Sequence, residues 1–189
     1  TPENSKLKRI HGIWGIAQIA RQYIDRAEIL VKFLNDADAE IAAQAAKWIG
    51  DVGYNEAGEA LIPLLKHESQ RIRFFAAQAL GRISYAPATH EILQMLRENN
   101  DEDLYLRHAG SLALARIGDA EALISIKNSN SIALKTAALV ALRRMNHKGA
   151  AEFLKDSNEY IVAEAARAIH DDYSIEQALP SLAELLNTT

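Results

Sequence analysis

Apolar residues recur along this chain with helical spacing and at two alternating kinds of segment. Six segments superimpose on one another: RIHGIWGIAQI (9–19), AAQAAKWIGDV (42–52), RFFAAQALGRI (73–83), RHAGSLALARI (107–117), KTAALVALRRM (135–145) and VAEAARAIHDD (162–172). Each carries small residues in its middle and a large aliphatic near its end. These anchors are Ile16, Ile49, Leu80, Leu114, Leu142 and Ile169, recurring about every 31 residues. Between them lie shorter amphipathic stretches at 27–36, 58–67, 89–99, 120–128, 149–157 and 174–187. In these, Leu30, Phe33 and Leu34, or Leu61, Leu64 and Leu65, show the i, i+3, i+4 pattern of one helix face. The pattern predicts a repeating unit of an outer helix, here A, a tight turn and an inner helix, here B. One such pair cannot cover its own apolar face, so the units must stack.

Punctuation agrees with that division. Asp36 and Asp38, Asp101 and Asp103, and Asp156 and Ser157 stand before B segments, where helix N-caps belong. Gly53, Gly118 and Gly149 fall at helix junctions, and Pro87 suits the start of the third A segment. Pro63 and Pro180 fall inside A segments and predict kinks. The period is shorter than the 40–47 residues usual for HEAT repeats. Yet the unit resembles the compact, roughly 30-residue bacterial variety of HEAT repeat, like that of bilin lyases. Tetratricopeptide and ankyrin signatures do not recur. The expected fold class is all-α, an α-α superhelix of HEAT type with about twelve helices in roughly six repeats. It reads as one solenoid over 1–189. The chain opens on a B segment without an A partner and closes on an A segment without a B, so it reads as a piece of a larger multidomain protein.

Composition adds little and excludes more. The 189 residues include no cysteine, which removes disulfides, thiolate metal sites and a covalent haem motif. Nine glycines and four prolines are too few for an all-β chain. The formal net charge of −4 disfavours a nucleic-acid partner. No apolar run reaches the length of a membrane span. The six histidines lack metal-ligand spacing, and His170 with Asp171 and Asp172 does not supply it, because successive helical residues diverge. His108 is expected to pack within its stack. No metal, no cofactor and no catalytic constellation is expected in this chain.

Candidate binding residues come from the exposed rows of the B segments. One row reads Trp14, Lys47, Gln78, Leu112, Val140 and Arg167, and its neighbours carry Phe75 and an arginine stripe of Arg82, Arg116 and Arg144. B helices line the concave, ligand-binding side of such solenoids. A mixture of Trp14, Phe75, Leu112 and Val140 with Arg82, Arg116 and Arg144 suits protein recognition. A further position carries Arg9, Ala42, Arg73, Arg107, Lys135 and Val162. Arg73, Arg107 and Lys135 are expected to form a structural ladder with turn carboxylates, Asp103 pairing with Arg107.

Beyond the generic repeat, HGIWGIAQIAR (11–21), DAEIAAQAAKWIGD (38–51), YLRHAGSLALARIGD (105–119) and VAEAARAIHDD (162–172) resemble one particular helical-repeat segment. It belongs to a family of large bacterial membrane-associated dehydrogenases, which join a sugar-dehydrogenase-like β-propeller to HEAT repeats and often to a c-type cytochrome domain. The resemblance implies an exported, periplasmic parent concerned with sugar or alcohol oxidation and electron transfer. This chain would be its non-catalytic scaffold or docking module, monomeric, and bound to neighbouring domains or a protein partner. The alternative is a free-standing lyase-type enzyme, similar to the bilin lyases, or an adaptor.

Overall fold

Four of the B segments begin on a side chain that caps them; the one that starts after Ser69 has no side-chain cap. Asp38, Asp103, Ser131 and Asn158 each accept a hydrogen bond from a backbone N–H of the first helical turn. The turn ahead is itself braced: Asp36, His67, Ser129 and Asp156 each accept the N–H of the residue two further on. At the last B segment the cap is Asn158, one residue beyond the expected Ser157. The earlier side chain, Asp156, holds the cap residue rather than the helix.

The computed structural model describes residues 2–171, 173–185 and 187, with side chains from residue 5 onward. Its α-helices are α1 (Pro2–Ala20), α2 (Glu28–Val31), α3 (Ala39–Val52), α4 (Gly58–Leu61), α5 (Gln70–Arg82) and α6 (Thr89–Asn99). They continue as α7 (Leu104–Ile117), α8 (Ala120–Ser125), α9 (Ile132–Arg144), α10 (Glu159–Ile169) and α11 (Leu179–Leu185). The B helices are α1, α3, α5, α7, α9 and α10. The A segments are composite, because short 3₁₀ turns precede, follow or replace their α-helical part. The fifth is entirely 3₁₀, Lys148–Phe153. Among the described residues this gives twelve helical segments, in an all-α fold of HEAT type. Among the described residues the one extended pairing is an isolated bridge between His170 and Ser174.

Chain reversal after α3, α5, α7 and α9 follows one rule. Gly53, Ser84, Gly118 and Asn146 all take positive φ, between 50° and 81°. In three of these turns the following N–H returns to the anchor carbonyl: Tyr54 to Ile49, Tyr85 to Leu80 and His147 to Leu142. This closure satisfies carbonyls that the helix end leaves open. The last B helix departs from expectation. It stops at Ile169, and His170 is extended, with its ring Nδ1 2.6 Å from Ser174 Oγ. Pro63 is the second residue of a 3₁₀ turn and Pro180 the second residue of α11, so neither interrupts an α-helical ladder.

The chain divides into two compact units, 1–95 and 96–189. In the first, α1 packs on α3 and α3 on α5. The close approach of α3 and α5 depends on Gly50, where an added Cβ would lie 2.6 Å from the Cα of Ala79. In the second, α7 packs on α9 and α9 on α10. The anchors Ile49, Leu80, Leu114, Leu142 and Ile169 are at most 1% exposed. Each contributes roughly 1.5–3 kcal/mol of burial. Ile16, on the first B helix, is only half-buried.

Candidate functional site

In the first unit, the predicted rows of three B helices are cross-braced, with Gln44 buried beneath the others. Trp14 is 41% exposed on α1, and its indole N–H donates to Gln44 Oε1 on α3 at 3.0 Å. Gln44 donates to Glu40 Oε1 at 2.8 Å. Arg71, on α5, then grips Glu40 with two bonds, from Nε at 2.6 Å and from Nη2 at 2.9 Å. Its guanidinium lies 5.1 Å from the Phe75 ring, which meets Phe74 edge-on. Burial works against the Glu40 carboxylate, but the bonds from Arg71 and Gln44 outweigh it and hold its pKa below the usual value. A braced line of side chains thus joins the predicted Trp14 to the predicted Phe75, which is half-buried.

A helix turn further on, Lys47 lies 4.0 Å over the Trp48 ring and Arg21 lies 5.4 Å from it. Lys47 also pairs with Asp51 at 2.7 Å, and Asp51 receives the predicted Arg82. The indole N–H of Trp48 is buried without an acceptor. Burial, and then the charges of Arg82 and Arg21, push the Lys47 pKa down.

In the second unit, Leu112 is half-buried on α7, Val140 is 36% exposed on α9, and Arg116 and Arg144 are exposed. Val140 and Arg144 meet in a groove of about 960 Å³ lined also by Arg143, Ala168, Tyr173 and Ile175. Arg143, which lines the groove, pairs with Asp171 at 3.1 Å.

The ladder residues separate into two groups. Lys135 pairs with Asp156 at 2.5 Å, with only 13% and 4% of the two side chains exposed. Arg9 and Asp36 form the same rung in the first unit. The carboxylate beside Arg107 is Asp101, at 3.6 Å, and not Asp103, whose side chain is committed to the N–H groups of Tyr105 and Leu106. Arg73 has its Nε buried without a hydrogen-bond partner. Where Ala42 interrupts the bases, the corresponding turn position is His67, so the base and the acid are missing together. His108 is exposed rather than packed.

Sequence reasoning missed Glu40, Arg71, Trp48 and Arg21, and placed Lys47 in an exposed row without giving it a role. The signal was present: Glu40 and Arg71 hold the same place relative to the anchors Ile49 and Leu80, as do Asp51 and Arg82. Equal register on adjacent packed helices puts side chains next to each other. Among the described residues no group of three metal-ligating side chains comes together, and no helix is long and apolar enough to cross a membrane.

A family model described as HEAT repeats matches residues 27–115. Among solved structures, an archaeal HEAT-like repeats protein from Thermococcus onnurineus NA1 is 12% identical, with a TM-score of 0.59, over 93% of this chain and 92% of that one. The complex of CpcE and CpcF of phycocyanin lyase from Nostoc sp. PCC7120 is 24% identical, with a TM-score of 0.56, over 86% of this chain and 69% of the other. A designed armadillo repeat protein in complex with the peptide (KR)4 is 17% identical, with a TM-score of 0.54, over 96% and 95%. These likenesses concern the fold. No curated protein matches the chain by sequence.

Proposed function

We propose that this chain is a non-catalytic scaffold that docks a protein partner, or a neighbouring domain, on the exposed rows of its B helices. The observation that carries this reading is the braced line from Trp14 through Gln44, Glu40 and Arg71 to Phe75. It holds aromatic and arginine groups in fixed positions on helices, while Trp14 keeps 41% of its surface in solvent. Preorganised aromatic and arginine side chains are the usual hot spots of protein interfaces, because little side-chain freedom is lost on binding. The second unit offers Leu112, Val140, Arg116 and Arg144 in the corresponding rows. That a designed repeat protein of similar fold holds a peptide is in keeping with this use.

The setting we propose is an exported dehydrogenase or electron-transfer protein. It rests on the resemblance of YLRHAG (105–110) and EAARAIHDD (164–172), and finding a propeller and a CxxCH motif in the same reading frame would support it. The scaffold reading is tested with Phe75→Ala/Arg116→Glu. This double variant is expected to retain its helical circular dichroism and to lose a partner or adjoining domain that binds the wild type. Equal binding of every partner by the two proteins would overturn the reading. The likeness to a phycocyanin lyase complex favours a second reading, a lyase-type enzyme. Transfer of a bilin to an apoprotein by the purified chain would establish it.

A further inference from the structure

We propose that the edge formed by Arg21, Lys47, Trp48 and Arg82 in the first unit docks an acidic segment of a partner protein. The inference rests on the scaffold reading and names the chemistry of the partner.

Three cations gather here around one ring and one carboxylate. Lys47 and Arg82 both reach Asp51, while Arg21 lies against the Trp48 ring and, among the described residues, meets no carboxylate. Positive charge is therefore in excess at this edge, in a chain whose formal net charge is −4. The crowding has a consequence within the cluster: after burial, it is Arg82 and Arg21 that destabilise the Lys47 ammonium. A carboxylate brought to the edge would relieve that repulsion. Cation–π contact alone would hold Trp48 with one cation. It does not account for the assembly of Arg21 and Arg82 around an already paired Lys47.

The geometry suits an extended acidic segment. Arg21 is exposed and can rotate off the ring to make a bidentate bond with a carboxylate. The half-buried Trp48 ring supplies an apolar platform between the charges. A basic segment would meet like charge at each of these cations.

Fluorescence polarisation on the whole chain tests the assignment. The probe is a labelled peptide of alternating glutamate and leucine, with a lysine–leucine peptide and a single-stranded oligonucleotide as the other arms. The acidic peptide is expected to bind in low salt and to weaken as salt is added. Arg21→Glu should lower its affinity about tenfold, because the charge at the edge is reversed. Arg82→Gln should weaken it by a smaller factor, since Lys47 then has Asp51 to itself. Lys148→Glu, an exposed site in the other unit, should change nothing. Circular dichroism confirms that each variant is folded. Equal affinity of wild type and Arg21→Glu overturns the proposal, as does preference for the lysine peptide or the oligonucleotide, or no binding of the acidic peptide. A partner lost with Phe75→Ala/Arg116→Glu but retained by Arg21→Glu removes this edge and leaves the scaffold reading standing.

Discussion

Lys135 and Asp156 show how a single rung couples charge to folding. The Asp156 side chain is nearly covered, and burial by itself would raise its pKa. The Lys135 bond, the N–H of Asn158 and the charge of Lys135 together reverse that, leaving it below the usual carboxylate value. A carboxylate whose folded pKa lies below its unfolded value stabilises the fold fully above the unfolded value. That stabilisation is lost as pH falls through the folded one. The urea midpoint should therefore drop on acidification below about pH 5. Asp156→Asn should flatten this slope, while costing about 1–3 kcal/mol at neutral pH because Lys135 loses its charged partner. Asp36, Asp38 and Glu40 are shifted in the same direction and keep the remaining slope. An unchanged slope in Asp156→Asn would refute this account. The rung was legible only in part. Repeat register identified Lys135, but which of two turn carboxylates caps and which pairs is settled by direction, as Asp101 and Asp103 show.

Among the elements, the B helices were readable throughout, and the A segments were readable in position but not in helix type. Alanine-rich centres and buried anchors define α3, α5, α7, α9 and α10, because close helix packing admits only small side chains there. The α-helical parts of the A segments are shorter and are preceded, followed or replaced by 3₁₀ turns, which the i, i+3, i+4 pattern does not distinguish from α-helix. Positive φ at Gly53 and Gly118 fits glycine; Asn146 tolerates it, and nothing in the local sequence marks Ser84. Two glycines separate packing from propensity. Gly50→Ala should cost about 1–3 kcal/mol, since the new methyl meets the backbone of Ala79. Gly12→Ala, on the open face of α1 where an added Cβ meets nothing within 4 Å, should gain up to about 1 kcal/mol of helix stability. Thermal melts of the two variants should move in opposite directions. A loss of stability in Gly12→Ala would show that this face is in contact with something in solution.

At the scale of the molecule, sign of charge separates two accounts of how a partner is met. The fold class was legible because repeats sum a weak helical signal over six copies. Function was less legible, because binding rows differ from copy to copy and only packing decides which of them meet. The net charge is −4, yet the B helices carry Arg71, Arg82, Arg116, Arg143 and Arg144, and Arg21 follows the end of α1. If the net charge governed encounter, an acidic partner would be repelled, and added salt would speed association by screening that repulsion. If the arginine-bearing rows govern it, salt would slow association, because the Debye length at physiological ionic strength is only about 8 Å. Local charge dominates when the partner's own charge lies within that distance of the surface, as docking along a helix row requires. We therefore expect the association rate of an acidic partner to fall with salt while its dissociation rate changes less. Arg116→Glu should reduce the low-salt rate and shrink the salt dependence, with circular dichroism unchanged. Stopped-flow measurements across a salt series read both quantities, and a rate that rises with salt in the wild type would place recognition away from these rows.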